Sequence, residues 1–301
     1  MTGQAPSLWR ISLAADSDTV AAYEDALDPF CHAISWIATE IENQWQIEGF
    51  CDDEPDRDRL DQAMAAVAQA FTQQSPQLHI EPVAARDWLI ENLQSFPPIH
   101  AGHYFIYGTH FEGQVPPGRT GICLNPGRAF GSGDHATTRG CLLAMDHLAK
   151  SFQFARMLDM GCGSGILSIA MAHTWPRSMT APITAADNDA TAARVSAENT
   201  RRNGVRSRIR PVTGDGYKSV HVRHAGPFDL IVSNILTNPL CRMAADLGRN
   251  LKEPDRGGAV VVLSGFLIRD SNRVLAAHLS QGLHLVTWYD IKGWRTLVLA
   301  R

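Results

Sequence analysis

With 301 residues, 45% hydrophobic and 19% charged, the chain is long enough for two domains and a sizeable core and has the composition of a soluble globular protein. It has no apolar run of bilayer-spanning length, no signal-peptide pattern in MTGQAPSLWR, no CxxC pair among its six cysteines and no carboxylate or cysteine cluster beside its histidines. A membrane span, a disulfide framework and a metal site are therefore not expected, and the cytoplasm is the expected compartment. The net charge of −4 is uneven: residues 1–95 carry 17 Asp and Glu against four Arg and no Lys, a balance of −13, and the remainder stands at +9. Two oppositely charged regions suggest two tasks, the acidic one suited to a basic partner.

In chain order, Leu8 to Leu13 reads as a strand and Ser17 to Leu27 as a helix capped by Asp16 or Ser17. Cys31 to Thr39 and Gln44 to Phe50 are strands rich in β-branched and aromatic residues. Leu60, Met64, Val67 and Phe71 recur at helical spacing over Asp56 to Phe71, and the acidic run from Asp52 to Asp58 suits the dipole at that helix start. A fourth strand at Leu78 to Pro82 completes βαββαβ, the order of a small ferredoxin-like α+β domain over residues 1–85. A short helix, Arg86 to Leu93 with Trp88, and the Phe96-Pro97-Pro98 break make residues 86–102 a linker.

Residues 103–301 form the second domain. Strands at His103 to Tyr107 and Thr120 to Leu124 precede a long polar loop, Asn125 to Thr138, where Thr137 or Thr138 is placed to cap a helix at Arg139 to Lys150. Strand and helix then alternate. Strands begin at Met157, Ile183, Arg208, Phe228 and Ala259, with helices near Ala190 to Asn203, Asn238 to Leu251 and Ile268 to Gln281. This is a doubly wound, Rossmann-like α/β sheet with parallel crossovers. Leu283 to Ile291 and Trp294 to Ala300, joined at Lys292-Gly293, close it as a hairpin to give seven strands.

The stretch MLDMGCGSGIL runs from an apolar strand through Gly161, Gly163 and Gly165 into a helix, where an open α/β sheet binds cofactors. A dinucleotide fingerprint needs a third glycine at 166, where Ile166 stands. The GxGxG spacing favours S-adenosyl-L-methionine, which has no pyrophosphate to cradle. Asp187 ends the next strand, 26 residues after Gly161, where a carboxylate can accept both ribose hydroxyls; Asp189 is the alternative, as a helix cap. Asp215 follows the third strand, at the usual place for an adenine contact or as an ordinary turn residue. Asn234 ends the fourth strand, where its amide can accept hydrogen bonds from an amine and aim the lone pair at a methyl group.

Together GCGSGILSIA, AFGSGDHATT and DLIVSNILTNPL resemble the bacterial methyltransferase family acting on large-subunit ribosomal protein eleven, and the likeness covers essentially the whole chain. The resemblance implies binding of S-adenosyl-L-methionine by Thr138, Gly161, Asp187 and Asn234. It also implies a front domain that grips the ribosomal protein, and methylation of its lysine and N-terminal amines. Two departures stand out: Asp134 and Ala136 where the family commonly has Thr and Pro, and Ser233 where Ala is common. A monomer without direct nucleic-acid contact is expected. The rivals are a base methyltransferase using the clustered Arg201, Arg202, Arg206, Arg208 and Arg210, and a noncatalytic module on the cofactor fold.

Overall fold

A computed structural model describes residues 7–31, 33–39, 41, 43–84, 98–124, 135–254 and 258–301. The expected linker helix around Trp88 and residues 125–134, Asp134 included, lie outside the described residues. The chain divides into two compact units, one carrying the elements up to Ala84 and one those from Ile99 on.

The front unit runs β1 (Ser7–Asp16), α1 (Val20–Leu27), β2 (Ala33–Ala38), β3 (Gln44–Cys51), α2 (Arg57–Ala70) and β4 (His79–Ala84). Its sheet has the order β2-β3-β1-β4, with every neighbouring pair antiparallel. Ile11, Leu13 and Ile47 of the sheet bury against Tyr23 and Leu27 of α1 and Leu60 and Met64 of α2. Helix α2 starts where the acidic run ends: the Asp56 side chain accepts the Arg59 N–H at 3.2 Å. The strand boundaries shift by up to three residues from expectation, β1 running on to Asp16 and β4 to Ala84, and two helix boundaries differ for a visible reason. Helix α1 begins at Val20, because Thr19 turns back and donates both its N–H and its hydroxyl to the Asp16 carbonyl. Phe71 stands at the C-cap of α2 and is exposed rather than part of the apolar stripe.

The second unit opens with a small sheet of β5 (Ile99–Ala101), β6 (Tyr104–Gly108) and β7 (Thr120–Leu124). Strand β5, inside the stretch read as linker, was not anticipated; three residues carry no period to read. Then come α3 (His135–Leu148), β8 (Met157–Met160), α4 (Ile166–Thr174), β9 (Ile183–Asp187), α5 (Ala190–Arg202) and β10 (Ile209–Thr213). They are followed by α6 (Val220–Ala225), β11 (Leu230–Asn234), α7 (Thr237–Asn250), β12 (Val260–Leu267), α8 (Ser271–Leu279), β13 (His284–Ile291) and β14 (Trp294–Ala300). The large sheet has the order β10-β9-β8-β11-β12-β14-β13; the first five strands are parallel and β14 lies antiparallel to both neighbours. Strands β11 and β12 open with apolar runs, Leu230 to Val232 and Val260 to Leu263, because helices cover both faces: Leu230, Val232, Val260 and Val262 pack into one core, Ile231, Val261 and Leu263 into the other.

Strand order reverses beside β8. The chain winds outward through β9 and β10, returns to β11 on the other side of β8, and continues to β12. The crevice beyond the carboxyl ends of β8 and β11 is thus the topological switch point, where open α/β sheets bind ligands.

Candidate functional site

The glycine loop occupies that switch point. Gly161, Gly163 and Gly165 have φ of 77°, 49° and 81°, a left-handed backbone that L side chains rarely adopt. Space makes the same demand, since a Cβ on Gly161 would lie 2.2 Å from Ile235 Cγ2 and one on Gly165 2.5 Å from Ser196 Oγ. Both Gly161 and Cys162 donate their N–H to the Ala186 carbonyl, at 2.8 and 3.0 Å, which ties the loop to the end of β9.

Asp187 sits at that end, half-buried, with Oδ2 accepting the Gly163 N–H at 2.8 Å and Oδ1 the Asp189 N–H at 3.0 Å. One backbone bond to each oxygen fixes the carboxylate while leaving each a further lone pair for a diol. Asp189 is the N-cap of α5, accepting the Thr191 N–H at 2.7 Å, so of the two aspartates it is Asp189 that caps the helix. The Asp187 carbonyl in turn holds the Gly214 N–H at 2.8 Å. The next residue, Asp215, is exposed and pairs with Lys218 at 3.3 Å.

Asn234 ends β11, and its Nδ2 reaches Thr138 Oγ1 at 3.4 Å. With Nδ2 engaged, the amide carbonyl is the acceptor left for an amine. Thr138 is not a cap as expected: α3 already runs from His135, and Thr137 and Thr138 are buried in its first turn. The cause is tertiary. Ser264 donates to the Thr137 carbonyl at 3.3 Å and shares a 2.8 Å hydrogen bond with Thr296, whose hydroxyl lies where a Cβ on Gly140 would be. That close approach presses the start of α3 onto β12 and β14 and presents Thr138 to Asn234.

Two residues that sequence reasoning left without a role complete the scaffold. Ser233 donates to the Met160 carbonyl at 2.9 Å, joining the ends of β11 and β8. Asp159 is fully buried, and its Oδ2 accepts both the N–H (2.9 Å) and the hydroxyl (2.5 Å) of Ser168. Ser168 is the third residue of α4, whose N-cap is Gly165, so a carboxylate from the preceding strand caps a helix whose own cap position has no side chain. Burial is the main force raising its pKa, to about 7; the Ser168 hydrogen bonds oppose the shift and the Asp187 charge adds to it. Burial also pushes the Cys162 thiol well up, with Asp159 and Asp187 adding to the effect. The available signal was a lone carboxylate in an apolar strand two residues before the first glycine.

These features fit a sulfonium nucleoside. The glycines allow close backbone approach, Asp187 is held ready for two hydroxyls, and the anion position at the start of α4 is filled from within by Asp159, where a dinucleotide would bring its pyrophosphate. A seven-stranded sheet with an inserted antiparallel β14, a glycine loop at its switch point and a carboxylate on β9 define an S-adenosyl-L-methionine-dependent methyltransferase. The family model described as "Ribosomal protein L11 methyltransferase (PrmA)" matches residues 12–301. The chain belongs to the ribosomal protein L11 methyltransferase family.

Relatives agree. A ribosomal protein L11 methyltransferase of Bradyrhizobium diazoefficiens is 36% identical over 86% of this chain and 85% of its own length. One of Rhizobium leguminosarum bv. trifolii is 39% identical over 73% of each chain. Among solved structures, a ribosomal protein L11 methylase of Lactobacillus delbrueckii subsp. bulgaricus aligns with a TM-score of 0.56 at 26% identity, covering 66% of this chain and 94% of that one.

Proposed function

We propose that this chain is an S-adenosyl-L-methionine-dependent protein N-methyltransferase that modifies lysine and N-terminal amines of ribosomal protein L11. The observation that carries the reading is the pair of polar side chains on either side of one glycine loop: Asp187 on β9, braced by loop N–H groups, and Asn234 on β11, braced by Thr138. Gly161, Gly163 and Gly165 receive the cofactor, Asp187 its ribose, Asp215 its adenine edge, and Thr138 and Asn234 its methyl-bearing end. When bound, the cofactor supplies a methyl group on a positively charged sulfur.

The rest is the work of the chain. The Asn234 carbonyl accepts a hydrogen bond from the incoming amine and aims its lone pair along the line of displacement. A lysine is mostly protonated at neutral pH, from its reference pKa of about 10.4. Desolvation in the crevice and a neighbouring positive charge both favour the neutral amine, so no side chain is assigned as a general base.

The antiparallel sheet and βαββαβ order support a ferredoxin-like front domain over residues 1–85, joined by residues 86–102 to a catalytic domain of residues 103–301. A ribosomal protein is generally basic, and the front domain's balance of −13 suits it to hold one. A cytoplasmic monomer acting without direct nucleic-acid contact completes the proposal. Transfer of labelled methyl groups to purified ribosomal protein L11, with mass spectrometry of the product, tests it; label on RNA and none on the protein would reject it.

A further inference from the structure

The front unit holds an open pocket of about 300 Å3 for which nothing above has a use. It is bounded by Asp16 at the end of β1, Tyr23 of α1, Gln44 at the start of β3, and Gln73 and Gln74 beyond α2. Among the described residues the wall thus offers one carboxylate, three carboxamides and a phenol, and contains no lysine, arginine or histidine. Gln73 Nε2 donates to Asp16 Oδ2 at 3.2 Å, which fixes the carboxylate at the pocket and leaves Oδ1 for a ligand. The Tyr23 hydroxyl has its pKa raised, first by burial and then by the Asp16 charge.

We infer that this pocket is a docking site for a cationic side chain, arginine or lysine, of the protein substrate. Its lining is rich in hydrogen-bond acceptors, and a guanidinium with five donors or an ammonium with three can use several of them together. A phosphate or carboxylate ligand meets Asp16 and the −13 balance of residues 1–95 instead. A divalent cation finds a single carboxylate, fewer hard oxygen charges than such ions select. The inference rests on the reading of the chain as a methyltransferase of a basic ribosomal protein, and it gives the front unit's charge a definite point of contact.

Steady-state methyl transfer to ribosomal protein L11 by the full-length protein tests it. Asp16→Asn is expected to raise KM for the protein substrate roughly fivefold, the upper range for one exposed charge pair, while the Kd for S-adenosyl-L-methionine stays at the wild-type value. Gln74→Glu, which adds a charge to the same wall, is expected to lower KM and serves if Asp16→Asn does not fold. Asp53→Asn removes an exposed charge outside the pocket and is expected to change KM less than twofold. In crystals soaked with N-acetyl-argininamide or N-acetyl-lysinamide, density beside Asp16 would identify which cation is preferred. Unchanged KM in both pocket variants, or an equal rise in Asp53→Asn, overturns the pocket while leaving the enzyme assignment standing. A wild-type protein that does not methylate ribosomal protein L11 overturns the assignment itself.

Discussion

Asn234 and Asp187 lie on opposite sides of the glycine loop and should fail differently. In the proposed function Asn234 acts on the amine and the methyl group, so Asn234→Ala is expected to lower kcat on the order of a hundredfold through lost alignment, with a smaller change in cofactor affinity. Asp187 is proposed to bind a part of the cofactor that does not react, so Asp187→Ala is expected to raise the cofactor Kd tenfold or more, the loss of two charge-assisted hydrogen bonds. Calorimetric titration beside single-turnover kinetics separates the two; equal losses of affinity would undo the division of roles. Asp159 makes a prediction about stability. Its folded-state pKa is raised from 3.8 to about 7, so between those values the folded protein keeps a proton that the unfolded chain has lost, and stability falls as pH rises through that window. Asp159→Asn keeps an acceptor for Ser168 but cannot ionise. Denaturant unfolding at pH 5 and pH 8 should show the wild type losing about 2 to 3 kcal/mol more than the variant, from about 1.4 kcal/mol per pH unit over the two units of the window above pH 5. Parallel losses would mean that Asp159 titrates normally.

The closing hairpin shows one element specified by two residues. Lys292 and Gly293 have φ of 46° and 83°, the two positive values a tight turn needs to match the twist of β13 and β14, and Arg295 braces the turn with two 2.6 Å hydrogen bonds to Asp290. Gly293→Ala is expected to cost about 1 to 2 kcal/mol, measured by denaturant unfolding, because an L side chain there strains the backbone even though space is open. That turn was legible in the sequence, as were the strands and the longer helices from Met157 on, because Lys-Gly and long apolar periods are local signals. Other features depend on contacts far along the chain. Thr137 and Thr138, read as candidate caps, lie inside α3, where the Thr137 carbonyl is held by Ser264, 127 positions along the chain, itself bonded to Thr296. Helix α6, six residues long, carries too little pattern to be read. In the site, the glycines, Asp187 and Asn234 were legible from type and spacing, whereas the capping role of Asp159 required knowing that β8 and α4 share a buried face.

At the scale of the whole molecule, charge is divided as the elements are. The region of −13 carries the front sheet and the region of +9 the cofactor sheet, so a basic protein approaching the molecule is attracted by one part and not by the other. Such attraction acts over a Debye length of about 8 Å at physiological salt and about 30 Å at 0.01 M, and it changes association rates more than the strength of the final contacts. Methylation of ribosomal protein L11 at subsaturating concentration should therefore fall severalfold between about 0.05 and 0.5 M salt through kcat/KM, with kcat at saturation changing little. A short lysine peptide at high concentration serves as the control, because its transfer depends on the crevice and little on long-range steering, and its rate should respond weakly to salt. If protein and peptide lost rate in parallel, the salt would be acting on the crevice itself, and the acidic front region would have no part in bringing the substrate in.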